Sequence, residues 1–154
     1  MSLKNSLLII GGHPTGAGRQ VREYSPLSGG WLPEERWDQL TVARHSHACA
    51  ATAHVVLIVG GHNGANLDST EILQISTRKI RAGGRLLQAR RHLAMAVLGN
   101  NILVLGGLGN GGGLNSLEKW NEASETWSKD RRTLKGKKNG MGAVSISTDK
   151  ICPV

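Results

Sequence analysis

A pair of adjacent glycines closes a short apolar run three times along this chain. The run LLII ends at Gly11 and Gly12, VLIV ends at Gly60 and Gly61, and ILVL ends at Gly106 and Gly107. The first glycines of successive pairs lie 49 and 46 residues apart, and a repeat of this length is typical of propeller blades. Short apolar runs bounded by glycine and asparagine are typical of buried strands. The repeat therefore predicts an all-β chain of four-stranded antiparallel blades.

Other residue types recur in register with the glycine pairs. A large residue follows each pair by 12 or 13 positions, and a second one stands seven residues later. These residues are Tyr24 and Trp31, Leu73 and Ile80, and Trp120 and Trp127. Aromatic rings at such positions each bury roughly 150–250 Å², so we expect them to fill the space between blades. The middle repeat lacks both rings and is predicted to pack less firmly.

This register resembles the kelch repeat, whose blades carry a Gly-Gly pair followed by a Tyr and a Trp at this separation. The resemblance covers nearly the whole chain, from Leu7 to Val154. It implies a six-bladed propeller, of which about three blades are present. We therefore expect one partial propeller over 1–154, with repeat segments 6–42, 43–88 and 89–134, and with 135–154 as the start of a fourth blade.

The phase of the repeat indicates an incomplete ring. If the strands of a blade are named a to d from the inside out, the order along the chain is bcd, abcd, abcd, and then a with part of b. Propellers usually close with four to eight blades, and open blades leave exposed strand edges. We expect the missing blades to come from the rest of a longer chain or from a second copy.

The fourth repeat can be placed by the same columns. An alanine stands 12 residues before two of the glycine pairs, at Ala48 and Ala94. An arginine stands 16 residues before the same pairs, at Arg44 and Arg90, and forms an arginine column. The pattern predicts Ala143 as the next member of this column and a further glycine pair at about position 155. Pro153 would then lie inside a strand, where it cannot donate a hydrogen bond.

Composition narrows the possible partners. The net charge is +8, which is compatible with an acidic partner or with nucleic acid. The chain has four Trp, one Tyr and no Phe, and all but Trp37 belong to the repeat columns. We therefore do not expect nucleic acid as a partner. No targeting signal or membrane span is visible, and we expect a cytoplasmic protein. Cys49 and Cys152 are predicted to be small buried residues in strands.

The resemblance also raises the possibility of an enzyme, because some kelch-like propellers are copper oxidases or iron-dependent specifier proteins. A copper-radical site of that type needs two Tyr, two His and a Cys, and Tyr24 is the single tyrosine. The iron site needs a Glu-x3-Asp-x3-His run, but Glu34 and Asp38 are followed by Val42.

Two further patterns resemble parts of known sites. His45 and His47 are two residues apart near a strand and would share a face, but a metal site needs further ligands. The run GNGGG at 109–113 lacks the Lys-Ser/Thr of a phosphate-binding loop. We therefore expect no catalytic residue, no metal and no cofactor.

Recognition is expected on one face of the blades, because alternating strands place the b–c and d–a loops together. The b–c loops are predicted at 13–20, 62–69 and 108–116. Loops on a rigid scaffold commonly carry binding residues, and arginine suits carboxylates. The predicted partner-binding residues are His13, Arg19, Arg44, His62, Asn63, Asn66, Arg90, Arg91, Asn110, Lys137 and Lys138. Alternatively, Arg44 and Arg90 brace neighbouring blades.

These observations predict a protein-interaction module for an acidic or phosphorylated partner. The resemblance implies a more specific role as the substrate-recognition part of a cullin-RING ubiquitin ligase adaptor. Two alternatives remain open at this point, an actin-binding cytoskeletal protein and a fragment of a metal-dependent kelch-like enzyme.

Overall fold

A computed structural model describes residues 6–13 and 18–146 of the chain. The first sheet contains β1 (Leu7–Ile10), β2 (Val21–Ser25) and β3 (Gly30–Trp31), and a short 3₁₀ helix, Glu34–Arg36, follows it. The second contains β4 (Ala48–Ala51), β5 (Val55–Val59), β6 (Thr70–Gln74) and β7 (Ile80–Ala82). The third begins with β8 (Ala94–Leu98) and β9 (Asn101–Leu105). A small hairpin of β10 (Leu108–Gly109) and β11 (Gly112–Gly113) precedes its last strands, β12 (Ser116–Asn121) and β13 (Thr126–Thr133).

These three sheets are called blade one, blade two and blade three. Blade two has the order β4-β5-β6-β7 and blade three the order β8-β9-β12-β13, with every neighbouring pair antiparallel. Among the described residues, blade one consists of β1-β2-β3, which correspond to strands b, c and d. The predicted all-β fold of antiparallel propeller blades is confirmed, and the described residues form an open array without a closed barrel.

The large residues of the repeat columns face each other across the two outer strands of each blade. The pairs are Tyr24 with Trp31, Leu73 with Ile80, and Trp120 with Trp127. The spacing of seven residues is thus the length of the hairpin that joins strands c and d. In blade three both rings are buried, and Trp127 Nε1 donates to Thr70 Oγ1 of blade two at 2.9 Å. The rings of blade three therefore fill the space between these two blades.

The prediction that the middle repeat packs less firmly was wrong. Leu73 is fully buried, in a core with Val21, Leu40 and Trp37. Trp37 lies outside the repeat columns, but its ring packs between blades one and two and its Nε1 donates to Glu23 at 2.9 Å. This side chain supplies the aromatic bulk that the middle repeat lacks.

The glycine pairs connect each blade to the next. The second glycine donates to a backbone carbonyl of the following repeat, Gly12 to Arg44 at 3.0 Å, Gly61 to Arg90 at 2.9 Å and Gly107 to Lys138 at 2.8 Å. The first glycine of each pair has a φ between 53° and 64°. A Cβ at these positions would lie only 2.5–2.7 Å from the same carbonyl oxygens. Both the positive φ and the close approach of the next blade therefore require glycine.

The structure also locates the fourth repeat. Ser46, His92 and Gly140 all have a positive φ, and they are linked by hydrogen bonds from His92 N to Ser46 O and from Gly140 N to His92 O, both 2.8 Å. Ala48 and Ala94 stand two residues after Ser46 and His92. Gly142 stands two residues after Gly140 and so takes the same position in the fourth repeat. The predicted assignment of Ala143 is therefore wrong by one residue. The predictions for Cys152, Pro153 and the next glycine pair lie outside the described residues.

Cys49 lies in β4 as predicted, and the residue is accessible to solvent at the edge of the blade. Burial nevertheless raises the pKa of its thiol to about 12. It points from β4 toward blade one, where no described strand covers it.

Candidate functional site: the loop face

The b–c and d–a loops lie together on one side of the blades, which we call the loop face. His45, in the d–a loop before blade two, forms a backbone bridge with His62 in a b–c loop, with N···O distances of 2.9 and 3.2 Å. Arg91 and Leu108 form the same kind of bridge in blade three, at 2.7 and 3.0 Å. The loops are therefore held to one another by backbone hydrogen bonds.

A buried ion pair lies below this face in blade two. Arg44 Nη2 donates to Glu71 Oε1 at 2.8 Å, and the two side chains are 0% and 2% exposed. Arg44 Nη1 also donates to the carbonyl oxygens of Gly60 and Ser69, at 2.9 and 3.1 Å. The Glu71 carboxylate accepts further bonds from the backbone N–H groups of Thr41 and Val42. Burial lowers the pKa of the Arg44 guanidinium, while the carboxylate of Glu71 acts in the opposite direction.

Blade three repeats this arrangement. Arg90 Nη2 donates to Glu118 Oε1 at 2.6 Å, and its Nη1 donates to Gly106 O at 2.8 Å. Glu118 accepts from the backbone N–H groups of Leu87 and Gln88. Burial again lowers the pKa of the arginine, and Glu118 opposes this shift. Each arginine thus ties a d–a loop to the glycine turn and to strand c of the same blade.

The prediction that Arg44 and Arg90 bind a partner is therefore corrected. Their guanidinium groups are buried and fully engaged inside their own blades, so the side chains do not brace neighbouring blades either. The contact with the preceding blade is made by their backbone carbonyls, which accept from Gly12 and Gly61. The glutamate that pairs with each arginine was missed, although it stands two residues before the large residue of strand c in both blades. In blade one the same position is Arg22, as the pairing of Ile9 with Arg22, and of Ile58 with Glu71, shows.

Three histidines form a cluster on the loop face. The ring centroids of His13 and His45 are 5.6 Å apart, and those of His45 and His62 are 5.3 Å apart. Burial lowers the pKa of His45, and the neighbouring His62 and His13 lower it further. Among residues 6–13 and 18–146, no group of three His, Cys, Asp or Glu is placed to hold a metal ion.

His47 does not join this cluster. Its ring lies beside the first two glycine turns, because a Cβ at Gly11 or Gly61 would come within 2.9 Å of its side chain. Its Nδ1 is buried without a hydrogen-bond partner among the described residues. Burial, together with the charge of Arg44, lowers the pKa of His47 to about 4. His47 is therefore a neutral packing residue at neutral pH.

The other predicted partner-binding residues are distributed over the loop face. Asn66 Nδ2 donates to Asn110 Oδ1 at 2.9 Å and so connects the b–c loops of blades two and three. Arg19 Nε donates to Leu40 O at 2.6 Å. The exposed ones are His13, Arg19, Asn63, Asn110, Lys137 and Lys138, whereas His62, Asn66 and Arg91 are half-buried. Lys138 takes the arginine position of the fourth repeat, since its carbonyl receives the hydrogen bond from Gly107. Binding by these nine residues stays a prediction.

Two loop-face histidines were missed as candidates for partner binding. His45 lies between His13 and His62, and His92 is exposed beside Arg91. The sequence signal was available, because both histidines follow shortly after the arginine column.

The repeated antiparallel sheets, joined through their glycine turns, define the class of this protein as an open array of propeller blades. Residues 89–130, which form most of blade three, match the family described as the Kelch motif. This match supports the kelch-repeat resemblance in the third repeat, and kelch repeats generally mediate protein–protein interaction. No curated protein matches the chain. In the described part of the chain, no helix is long and apolar enough to cross a membrane.

Proposed function

We propose that this chain is a kelch-type binding module that recognises an acidic or phosphorylated protein through the loop face. The observation that carries this proposal is the charge of the loops around blade three. Residues 86–93, 106–115 and 134–141 contain no Asp or Glu. They carry Arg91, His92 and Lys137, which we call the cationic patch after the charges of its arginine and lysine. Glu71 and Glu118 neutralise only the buried arginines, so the patch has no internal counter-charge.

The position of the patch supports a binding role. Arg91 is held on one side of the β10–β11 hairpin by its bridge to Leu108. Lys137 lies on the other side, where a Cβ at Gly113 would be 3.3 Å from the Lys137 Cβ. Cations beside both strands of a fixed hairpin suit an acidic peptide that lies across it, because each cation can donate a charge-assisted hydrogen bond to a carboxylate or phosphate.

Paired charge-removing variants test this proposal. Arg91→Gln/Lys137→Gln should weaken binding of a fluorescein-labelled, Glu-rich phosphoserine peptide by about fivefold. This estimate follows because an exposed ion pair contributes roughly 0.2–1 kcal/mol and about 1.4 kcal/mol is a tenfold change in affinity. Fluorescence anisotropy at low and physiological salt gives the two dissociation constants.

The matched control removes the same charge elsewhere. Lys119→Gln/Lys129→Gln changes two exposed lysines on β12 and β13, away from the loop face. Equal weakening by both double variants would mean that only net charge matters, and it would contradict a specific patch. Failure of the unmodified chain to bind either the phosphorylated or the unphosphorylated peptide would also contradict the proposal.

We also propose that the more specific roles implied by the kelch resemblance would use the loop face. A substrate-recognition part of a cullin-RING ubiquitin ligase adaptor, located in the cytoplasm, would use the cationic patch to capture its substrate. An actin-binding protein would use it on filaments. Co-sedimentation with actin filaments distinguishes these two roles. Sedimentation that is lost in Arg91→Gln/Lys137→Gln supports the actin-binding role, and failure of the unmodified chain to sediment with filaments contradicts it.

A further inference from the structure

One edge of β1, the innermost described strand of blade one, is exposed. In blades two and three, the strands β5 and β9 are each paired along their length with a strand a, which is β4 or β8. The equivalent strand of blade one, β1, is paired only with β2 among the described residues. An unpaired edge presents free backbone donors and acceptors to an added strand.

An apolar groove of about 380 Å³ lies beside this edge. Its lining is shared between blades one and two and includes Leu8, Ile10, Cys49, Ala51, Val56 and Ile75. Cys49 and Ala51 are exposed, although they belong to the innermost strand of blade two.

Blade three shows what this groove accommodates. Counted from the glycine pairs, Cys49 and Ala51 are equivalent to Met95 and Val97 of β8. Met95 and Val97 pack in one core with Ala48 and Ala50 on β4, which is the strand a of the preceding blade. By the same geometry, Cys49 and Ala51 face the position of a strand a in blade one.

The chain itself carries a segment with the character of this strand. Lys138 and Gly140 continue the inter-blade hydrogen bonds into a fourth repeat, and 142–146 follow where strand a begins in the earlier repeats. These residues form no strand with any other described residue. Val144 and Ile146 are 83% and 66% exposed, and they alternate with Ala143 and Ser145. An exposed alternation of apolar and small residues is typical of a strand without its sheet.

A chain cannot easily place this segment in its own groove. Blade two lies between the other blades, with one core shared with blade one and another shared with blade three. The segment leaves from the side of blade three that faces away from blade two, where Lys138 O accepts from Gly107 N. The groove lies between blades one and two, on the other side of blade two.

We propose that two copies of this chain close one ring by exchanging 142–146, so that each copy supplies the innermost strand of blade one in the other. The exchange is reciprocal and leaves no unpaired β1 edge. Joining the described blades of two copies in this way gives six complete blades, within the usual range of four to eight. The same contact covers the exposed apolar side chains of blade one, Leu7, Ile9 and Trp31, which are 47–56% exposed.

The first test is the mass of the chain in solution. Light scattering coupled to gel filtration should give twice the chain mass of 16.4 kDa. Val144→Lys/Ile146→Lys should shift the chain toward monomer, because it places charges in the groove. Leu27→Lys removes a residue that is 91% exposed in another loop and should leave the dimer intact. A monomer, a larger assembly, or a dimer that is unaffected by the double lysine variant would overturn the proposal.

The second test locates the contact and does not depend on assembly strength. Cysteines introduced as Val144→Cys or Ala143→Cys, each in a Cys152→Ser background, should form a disulfide with Cys49 of the other copy after mild oxidation. Two variants are used because adjacent residues of a strand face opposite sides. Leu27→Cys serves as the control and should not cross-link. The expected product is a covalent dimer on a non-reducing gel, and absence of a cross-link from both positions, or a cross-link within one chain, would overturn the proposal.

Discussion

Arg44 and Arg90 show how a charged residue can determine loop structure without contacting a partner. Each guanidinium group replaces its water contacts with three backbone carbonyls, a serine hydroxyl and a carboxylate. The loop face therefore depends on ion pairs that lie beneath it.

The Arg44–Glu71 pair predicts a strong asymmetry between single and double substitutions. Arg44→Met should destabilise the fold by about 3–5 kcal/mol, because it leaves the buried Glu71 carboxylate without its counter-charge. Arg44→Met/Glu71→Leu should cost less than this, since no charge remains buried. Urea unfolding measures both variants. Asp68→Ala, which breaks the exposed pair with Arg85, should cost about 1 kcal/mol or less; an Arg44→Met variant as stable as this control would contradict the account.

His47 predicts how stability depends on pH. Its pKa is lowered to about 4 in the folded state, whereas an unfolded histidine has a pKa of about 6.5. Between these values the unfolded chain binds more protons, so stability should fall as the pH falls from about 6.5 to 4 and should recover as it rises. The loss should be about 2 kcal/mol, reduced by the partial exposure of the ring. His47→Leu should flatten this part of the profile in urea unfolding at several pH values, and an unchanged slope would contradict the assignment.

Several of the residues that hold the loops could be identified from the sequence, but the pairing of each arginine with its glutamate could not. The arginine column was visible at Arg44 and Arg90, and bracing was one of its two interpretations. The glutamates stand 27 and 28 residues further along the chain, and blade one carries Arg22 at the equivalent position. A column that is broken in one of three copies is difficult to recognise, and only the fold brings the opposite charges together.

Among the structural elements, the turn after strand b is the one that most strictly limits which residue types can occupy it. Its first glycine must adopt a positive φ and must also allow the next blade to approach. These two requirements are separable in this chain. Gly64 has a positive φ of 79° and no atom within 4 Å of the position that a Cβ would take, whereas Gly60 has both constraints.

Gly60→Ala is predicted to destabilise the fold more than Gly64→Ala. A left-handed conformation costs an alanine roughly 1–2 kcal/mol, and both variants incur this cost. At Gly60 the new Cβ would also lie 2.7 Å from Arg90 O, so we expect about 3 kcal/mol or more in thermal or urea unfolding. Equal costs for the two variants would show that blade contact at Gly60 is unimportant.

The strands and their order followed from the glycine period, because a repeat fixes many positions at once. The exceptions lie where the chain departs from its own repeat. Trp37 stands outside every column, yet it fills the space beside Leu73. Counting from the positive-φ residue Gly140 puts Gly142 in the alanine column, whereas a pattern based on residue type alone selects Ala143.

The whole molecule presents two surfaces with different chemistry. Around blade three the loop residues 86–93, 106–115 and 134–141 carry cations and no Asp or Glu. Beside blade one an apolar groove borders the edge of β1 that no other described strand covers. The proposed partner binds at the first surface, and the proposed second copy binds at the second. The two proposals can therefore fail independently.

The most direct test of the central claim is an NMR titration of the chain with the phosphoserine peptide. We predict that the largest amide shift changes occur at Arg91, His92 and Lys137, with little change at Lys119 and Lys129 on the strands. Arg44 and Arg90 should keep protected, unshifted side-chain signals because they remain in their buried pairs. Shift changes concentrated outside the loop face, or release of these two arginines toward the peptide, would contradict the account.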